Sequence, residues 1–234
     1  MNDPELLASF VREQSESAFR SLVERHAALV LGTARRQTGD SALAEEVAQT
    51  VFVVLARKAA GLSGRTVLAG WLYRTTCFVA ARARLSEQRR RRREQEAASM
   101  QPQVQSDPAW PRVARELDDG LGRLRDTDRN ALLLRYVEDR PLREVSVSLG
   151  VSEEAAKKRI ARALEKLRQL LQQRGCQISA GALAVGLTQE GTANASAALV
   201  SAWSTAALTT ASAGVAVGTA GAATSTLLGE VLAA

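Results

Sequence analysis

Apolar residues recur along the first 174 positions at steps of three and four, the spacing of helices that bury one stripe each. Leu6, Leu7, Phe10 and Val11 predict a short first helix. Phe19, Leu22, Val23, His26, Leu29, Val30 and Ala34 predict a second from about Glu16 to Gln37, broken by Gly39 and Asp40. Asp40 or Ser41 then caps a third helix to about Lys58, with Leu43, Val47, Val51, Val54 and Leu55 inward and Glu45, Glu46 and Gln49 on the other side. The loop GLSGRTVLAG leads into a helix from about Trp71, with Trp71, Leu72, Thr75, Phe78 and Val79 as its expected packing face. Strand-like alternation is scarce, and the expected fold is all-α.

Further along, residues 94–115 lose the periodicity and hold three of the five prolines (Pro102, Pro108, Pro111), the composition of a linker. Leu117, Leu121 and Leu124 open a second helical unit, and Asp126 or Thr127 caps a helix carrying Leu132, Leu133, Tyr136 and Val137. The stretch from Pro141 to Leu171 reads as a short helix, a turn at Gly150 and a longer helix capped by Ser152. Ala156, Ile160, Ala163, Leu164, Leu167 and Leu171 give that last helix its buried stripe. Lys157, Lys158, Arg159 and Arg162 lie off or beside it. A short helix, a glycine turn and a basic second helix form the helix-turn-helix that lays its second helix in the DNA major groove. An ordinary helical hairpin with a solvated charged face has the same pattern, so the partner is not settled by this stretch alone.

Charge sharpens the picture. The net charge of +6 and pI near 10 favour a polyanionic partner. All 31 basic residues, but only 23 of the 25 acidic ones, lie in residues 1–174, a local net charge of +8. Between Arg82 and Arg93 stand seven arginines (82, 84, 89, 90, 91, 92, 93) against Glu87. Five consecutive arginines cannot share one helix face, so part of the run points to solvent or to phosphates, where each neutralised phosphate would release counterions.

Enzymatic chemistry finds little support. His26 is the only histidine, and its apolar helical neighbours suit a packed or surface residue. Cys77 and Cys176 are far apart and outside metal-ligand spacing, and no Gly-rich phosphate loop is present, so neither a metal nor a cofactor is expected. The acidic start MNDPELLASF lacks an apolar signal core, consistent with a cytoplasmic protein.

Four stretches resemble the extracytoplasmic-function sigma factors, the small two-domain initiation subunits of bacterial RNA polymerase. They are FRSLVERHAALVLGTARRQTGD (19–40), AEEVAQTVFVVLARK (44–58), GWLYRTTCFVAARARL (70–85) and LRDTDRNALLLRYVEDRPLREVSVSLGVSEEAAKKRIARALEKLRQLL (124–171), in the family's order and around its linker. The resemblance implies a region 2-like domain in 1–93, a linker in 94–115 and a region 4-like helix-turn-helix domain in 116–174. It implies that Asp40, Glu45, Glu46, Gln49 and Phe52 contact a coiled coil of the polymerase's largest subunit. Arg65, Trp71, Arg74, Arg82 and Arg84 would hold the opened minus-ten strand, with Trp71 equally at home in a core. Ser152, Glu153, Glu154, Lys157, Lys158, Arg159 and Arg162 would read or flank the minus-thirty-five duplex, Glu153 or Glu154 accepting from cytosine. An anti-sigma factor is a further candidate partner. Ala155 departs from the Thr usual there, Ser146 replaces a small Ala, and the polar Asn often found after the WLYR-like stretch is missing, which leaves the base preferences open. A stand-alone helix-turn-helix regulator is the alternative reading.

Residues 175–234 fall outside that pattern. They are rich in Ala, Gly, Ser and Thr, carry only Glu190 and Glu230, and have no charge from Gly191 to Gly229. That length could span a bilayer, but dilution by Thr, Ser, Gly and Asn194 favours an alanine-rich helical or disordered extension over a membrane contact.

Overall fold

The computed structural model describes residues 1–62, 64, 66–97, 109–190 and 195–212. The described residues form ten α-helices and no strands. In the first unit, α1 (Asp3–Glu13), α2 (Glu16–Thr38), α3 (Ser41–Lys58) and α4 (Leu68–Ala97) follow the predicted order. Their ends have local causes. Asn2 and Glu5 form a reciprocal capping box on α1, Ser15 caps α2, and the Asp40 carboxylate accepts the Leu43 N–H at 2.9 Å to start α3. Gly39, at φ +68°, turns the chain between α2 and α3.

The packing face of α4 is rotated from the one its pattern predicts. Leu72, Tyr73, Thr76, Val79, Ala80 and Ala83 are buried, whereas Trp71 and Thr75 are half-buried and Phe78 is 38% exposed. The buried set includes Tyr73 because α4 is packed by the second unit as well as by α2 and α3. Hydroxyls of Tyr73 and Thr76 are satisfied by Asp118 and by the Leu72 carbonyl.

The second unit comprises α5 (Ala109–Arg123), α6 (Asp126–Leu132), α7 (Leu142–Leu149) and α8 (Glu153–Gln173). Both α4 and α5 reach into the stretch read as linker. Arg125, rather than Asp126 or Thr127, precedes the first turn of α6; Asp126 is its first helical residue and pairs with Arg129 at 2.6 Å. After Leu132 the chain makes one π-helical turn, Leu133–Val137, which places Leu133, Leu134 and Val137 in the core. Leu117, Leu121, Leu124, Ile160, Leu164, Leu167 and Leu171 complete that core. Each such leucine stabilises the unit by about 1.5–3 kcal/mol.

Two polar clusters join the units. Fully buried His26 on α2 sits between Glu138 (Nδ1 to Oε1, 2.6 Å) and Asp3 (Nε2 to Oδ2, 3.4 Å). Arg140 bridges the same two carboxylates at 2.7 and 2.8 Å, and Arg25 reaches Asp3 at 2.5 Å. Nearby, Arg36 on α2 donates twice to buried Asp118 on α5, at 3.0 and 3.1 Å. Beside it, burial and the Asp118 charge push the Cys77 thiol up to about 12, which leaves it a packing residue without thiolate chemistry.

Burial opposes a charge on His26, but Glu138 and Asp3 outweigh it and raise the imidazole to about 9. Asp3 moves the other way: burial would raise it, yet His26, Arg140 and Arg25 hold it well below the usual carboxylate range. Between the ordinary histidine value near 6.5 and pH 9 the folded chain binds a proton that the unfolded chain releases. Stability from His26 is therefore complete below about pH 6.5 and lost as pH rises through 9, a change of about 3 kcal/mol. Asp3 adds stability that is lost as pH falls below the carboxylate range. Urea unfolding of the full chain at pH 6 and pH 9 is expected to show that loss, with a much flatter dependence in His26→Gln.

The extension supplies α9 (Ala180–Glu190) and α10 (Ala197–Ser212). Leu183 and Leu187 of α9 join the core of the second unit, while Val200, Trp203 and Ala207 of α10 join that of the first. Over these two helices the extension is docked on the two units rather than loose, and the rest of it, 191–194 and 213–234, lies outside the described residues. Among the described residues no helix is long and apolar enough to cross a membrane.

Candidate nucleic-acid interface

The α7–α8 turn is built by its backbone. Gly150 adopts φ +64°, and the Val151 N–H donates to the Ser146 carbonyl at 3.0 Å, closing the end of α7. Ser152 then accepts the Ala155 N–H at 3.3 Å and starts α8. Val145, Ala156, Ile160, Ala163 and Leu164 are buried, so the opposite face of α8 is fixed outward. Ser152, Glu153, Glu154, Lys157, Lys158 and Arg162 are exposed, and Arg159 is half-buried at the edge. Lys158 pairs with Glu154 at 2.6 Å across one turn, a surface pair worth only about 0.3–0.5 kcal/mol that a stronger partner can replace. Exposed Ala161 lies in the middle of this face, between Lys157, Lys158 and Arg162. An apolar residue among charges was not singled out by its sequence, although its i+4 and i+3 spacing from Lys157 and Lys158 places it there.

On α4, the positions outside the fully buried set make a second surface, at whose start Trp71 still packs in part against the core of the first unit. Trp71, Arg74, Thr75, Phe78 and Arg82 fall at helical steps of three and four along one stripe. The Arg82 guanidinium lies 5.3 Å from the Phe78 ring centroid. Trp71, Arg74, Thr75 and Phe78 line a cleft of about 560 Å³ whose far wall carries Asp126, Arg129 and Asn130 of α6. Arg74 pairs with Asp126 across it at 3.2 Å. Alternating aromatic and cationic side chains on one partly exposed stripe suit a single strand, since bases stack on rings while cations follow phosphates. The structure thus brings Trp71, Arg74 and Arg82 together and adds Phe78. Arg84 is exposed on a different side of α4, and Arg65 lies outside the described residues.

The third group lies on α3. Asp40 is exposed and spends one carboxylate oxygen on the cap; Glu46 is exposed, and Glu45 and Gln49 are half-buried. Phe52 is fully buried, its ring stacked on that of Trp203 with centroids 5.8 Å apart.

Two helical units, one with a helix-turn-helix and one with an aromatic-cationic helix, define a two-domain DNA-binding protein of the transcription machinery. The family descriptions agree: Sigma-70 region 2 matches residues 22–93 and Sigma-70, region 4 matches 120–169. RNA polymerase sigma factor CarQ of Myxococcus xanthus is 33% identical over 162 residues, 68% of this chain and 92% of CarQ. The chain is also similar to CnrH, solved with the cytosolic domain of CnrY, at 22% identity over 74% of this chain and 99% of that one, with a TM-score of 0.36. Sigma factor RpoE of Bartonella quintana, solved with the anti-sigma factor NepR, is 18% identical over 62% of this chain and 92% of its own, with a TM-score of 0.29. The chain belongs to the sigma-70 family, and within it to the extracytoplasmic-function sigma factors. It is a non-enzymatic subunit that binds core RNA polymerase and promoter DNA for transcription initiation. A region 2 match over the first unit sets aside the stand-alone regulator.

Proposed function

We propose that the labour is divided among three helices. In this reading α3 docks on core polymerase through Glu46 with Asp40, Glu45 and Gln49, the α4 stripe holds the opened minus-ten strand, and α8 enters the major groove of the minus-thirty-five duplex. The observation that carries it is the placement of the aromatic-cationic stripe and the basic helix on different units, each with its apolar side buried and its polar side exposed.

On α8, Lys157 addresses guanine or phosphate near the helix start, and Glu153 or Glu154 accepts from cytosine once Lys158 turns to a phosphate. Ala161 allows the helix a close approach and can meet a thymine methyl. Arg162 contacts phosphate, so Arg162→Ala in the holoenzyme is expected to reduce the salt slope of promoter binding by about one while leaving sequence preference unchanged. Binding measured from 50 to 300 mM salt on matched and mismatched minus-thirty-five duplexes distinguishes this from a base contact.

The two elements lie about 25 base pairs apart, roughly 85 Å of duplex, whereas a compact body of 174 residues is about 40 Å across. Reading both therefore requires the units to separate at the His26–Glu138 and Arg36–Asp118 clusters. Of the 22 residues over 94–115, α4 and α5 take up all but 98–108, so the full reach of about 70 Å would require those helix ends to unwind. The chain works in the cytoplasm, where its polymerase and promoter are, and an anti-sigma factor that covers the same surfaces would be its antagonist. Transcription from a promoter library by core polymerase with and without the full chain tests the whole reading: starts that depend on the chain and share two spaced elements are expected, and starts sharing only one element would remove α4 or α8 from it.

A further inference from the structure

The outward stripe of α3 runs Glu45, Gln49, Phe52, Ala56, at steps of four, three and four. Its amino-terminal half is the surface assigned above to polymerase docking. Its carboxy-terminal half is covered by α10. Trp203 is 2% exposed and stacks on Phe52, while Val200, Ser204 and Ala207 complete one buried stripe at i, i+4 and i+7. Arg57 anchors the far end by donating to the Thr210 carbonyl at 3.1 Å. Ser201, Ala202, Thr205 and Thr209 face solvent, so α10 is a surface helix seated in a groove of α2 and α3 rather than a core helix buried all round. Helix-in-groove seating of this kind is a common way for one chain to take the place of another. The chain leading to α10 passes through α9, whose Leu183 and Leu187 belong to the other unit. The extension therefore fastens both units at once.

We infer that the α2/α3 groove is a helix-receiving surface continuous with the polymerase-docking face, and that α10 is its built-in occupant, displaced when the coiled coil of the polymerase docks. This rests on the assignment of α3 to polymerase docking. The groove fits a helix with one large aromatic, aliphatic Val200 a turn before it and small Ala207 a turn after it. The uncharged stretch from Gly191 to Gly229 carries nothing that would compete for Glu45 or Glu46, so the occupant blocks by covering Phe52 and not by neutralising the acidic end.

Apparent affinity falls with the fraction of chain whose groove is open. Trp203→Ala in the full chain is expected to tighten binding to core polymerase by roughly tenfold or more, while Trp203→Phe, which keeps the stack, and Thr205→Ala, on the outer face, stay near the natural affinity. Hydrogen exchange on the natural full chain gives a readout that needs no variant to fold. Amides of α10 are expected to lose protection when polymerase is added. Retained α10 protection in a formed holoenzyme would overturn the inference and leave the docking role of α3 intact. A holoenzyme that forms equally well with natural α3 and with Glu46→Ala overturns the docking role itself, and the inference with it.

Discussion

Glu138→Ala is expected to lower the stability of the full chain by about 3–5 kcal/mol, the usual cost of removing one partner from a buried ion pair. The loss comes from what remains. His26 stays fully buried, and its nearest counter-charge becomes Asp3 at 3.4 Å, already shared with Arg25 and Arg140. Burial then prevails over the remaining attraction, and the imidazole is driven toward its neutral form. Chemical unfolding at pH 6 checks the magnitude. A cost below about 1 kcal/mol would mean that the cluster is not closed in solution. Glu138→Gln keeps the shape and one acceptor, and is expected to fall between the two.

The second large effect is on promoter choice. Lys157→Ala in the holoenzyme is expected to reduce initiation from minus-thirty-five-dependent promoters by roughly 5- to 150-fold, the range of about 1–3 kcal/mol carried by a good base contact. Lys157 is exposed one turn inside α8, with Ser152 capping the helix start and Ile160 and Leu164 holding its back to the core. Truncating it removes no packing, so the free chain is expected to unfold as before. A decrease of similar size on every promoter, with a shallower salt dependence, would make Lys157 a phosphate contact instead. Transcript yields across promoters that differ only in the minus-thirty-five element separate the two outcomes.

Much of this architecture was legible because local chemistry and burial agree. Gly39 and Asp40 end one helix and start the next, Gly150 and Ser152 do the same, and the stripe from Ala156 to Leu171 is buried as its spacing implies. What periodicity cannot show is which neighbour arrives from far along the chain. His26 reads as a packing residue among leucines, and its partner Glu138 lies 112 positions away. The face of α4 is hidden for the same reason at Tyr73, which looks external until Asp118, 45 positions away, satisfies its hydroxyl; Thr76 is satisfied locally by the Leu72 carbonyl one turn back. Phe78, an aromatic at the spacing of an inward residue, stands instead on the partly exposed stripe with Trp71, Arg74 and Arg82. The docking of α10 was invisible because an Ala/Ser/Thr-rich segment has almost no amphipathic contrast; one tryptophan, Trp203, carries the seat.

The most direct test of the divided roles compares Glu46→Ala and Lys157→Ala in the same holoenzyme assay. Glu46 is exposed on α3 and Lys157 on α8, and neither is paired with the other unit in a way that would confuse the result. Affinity for core polymerase is expected to fall in Glu46→Ala and to stay unchanged in Lys157→Ala, while dependence on the minus-thirty-five element is lost only in Lys157→Ala. Equal loss of polymerase affinity in both variants would contradict the division of labour.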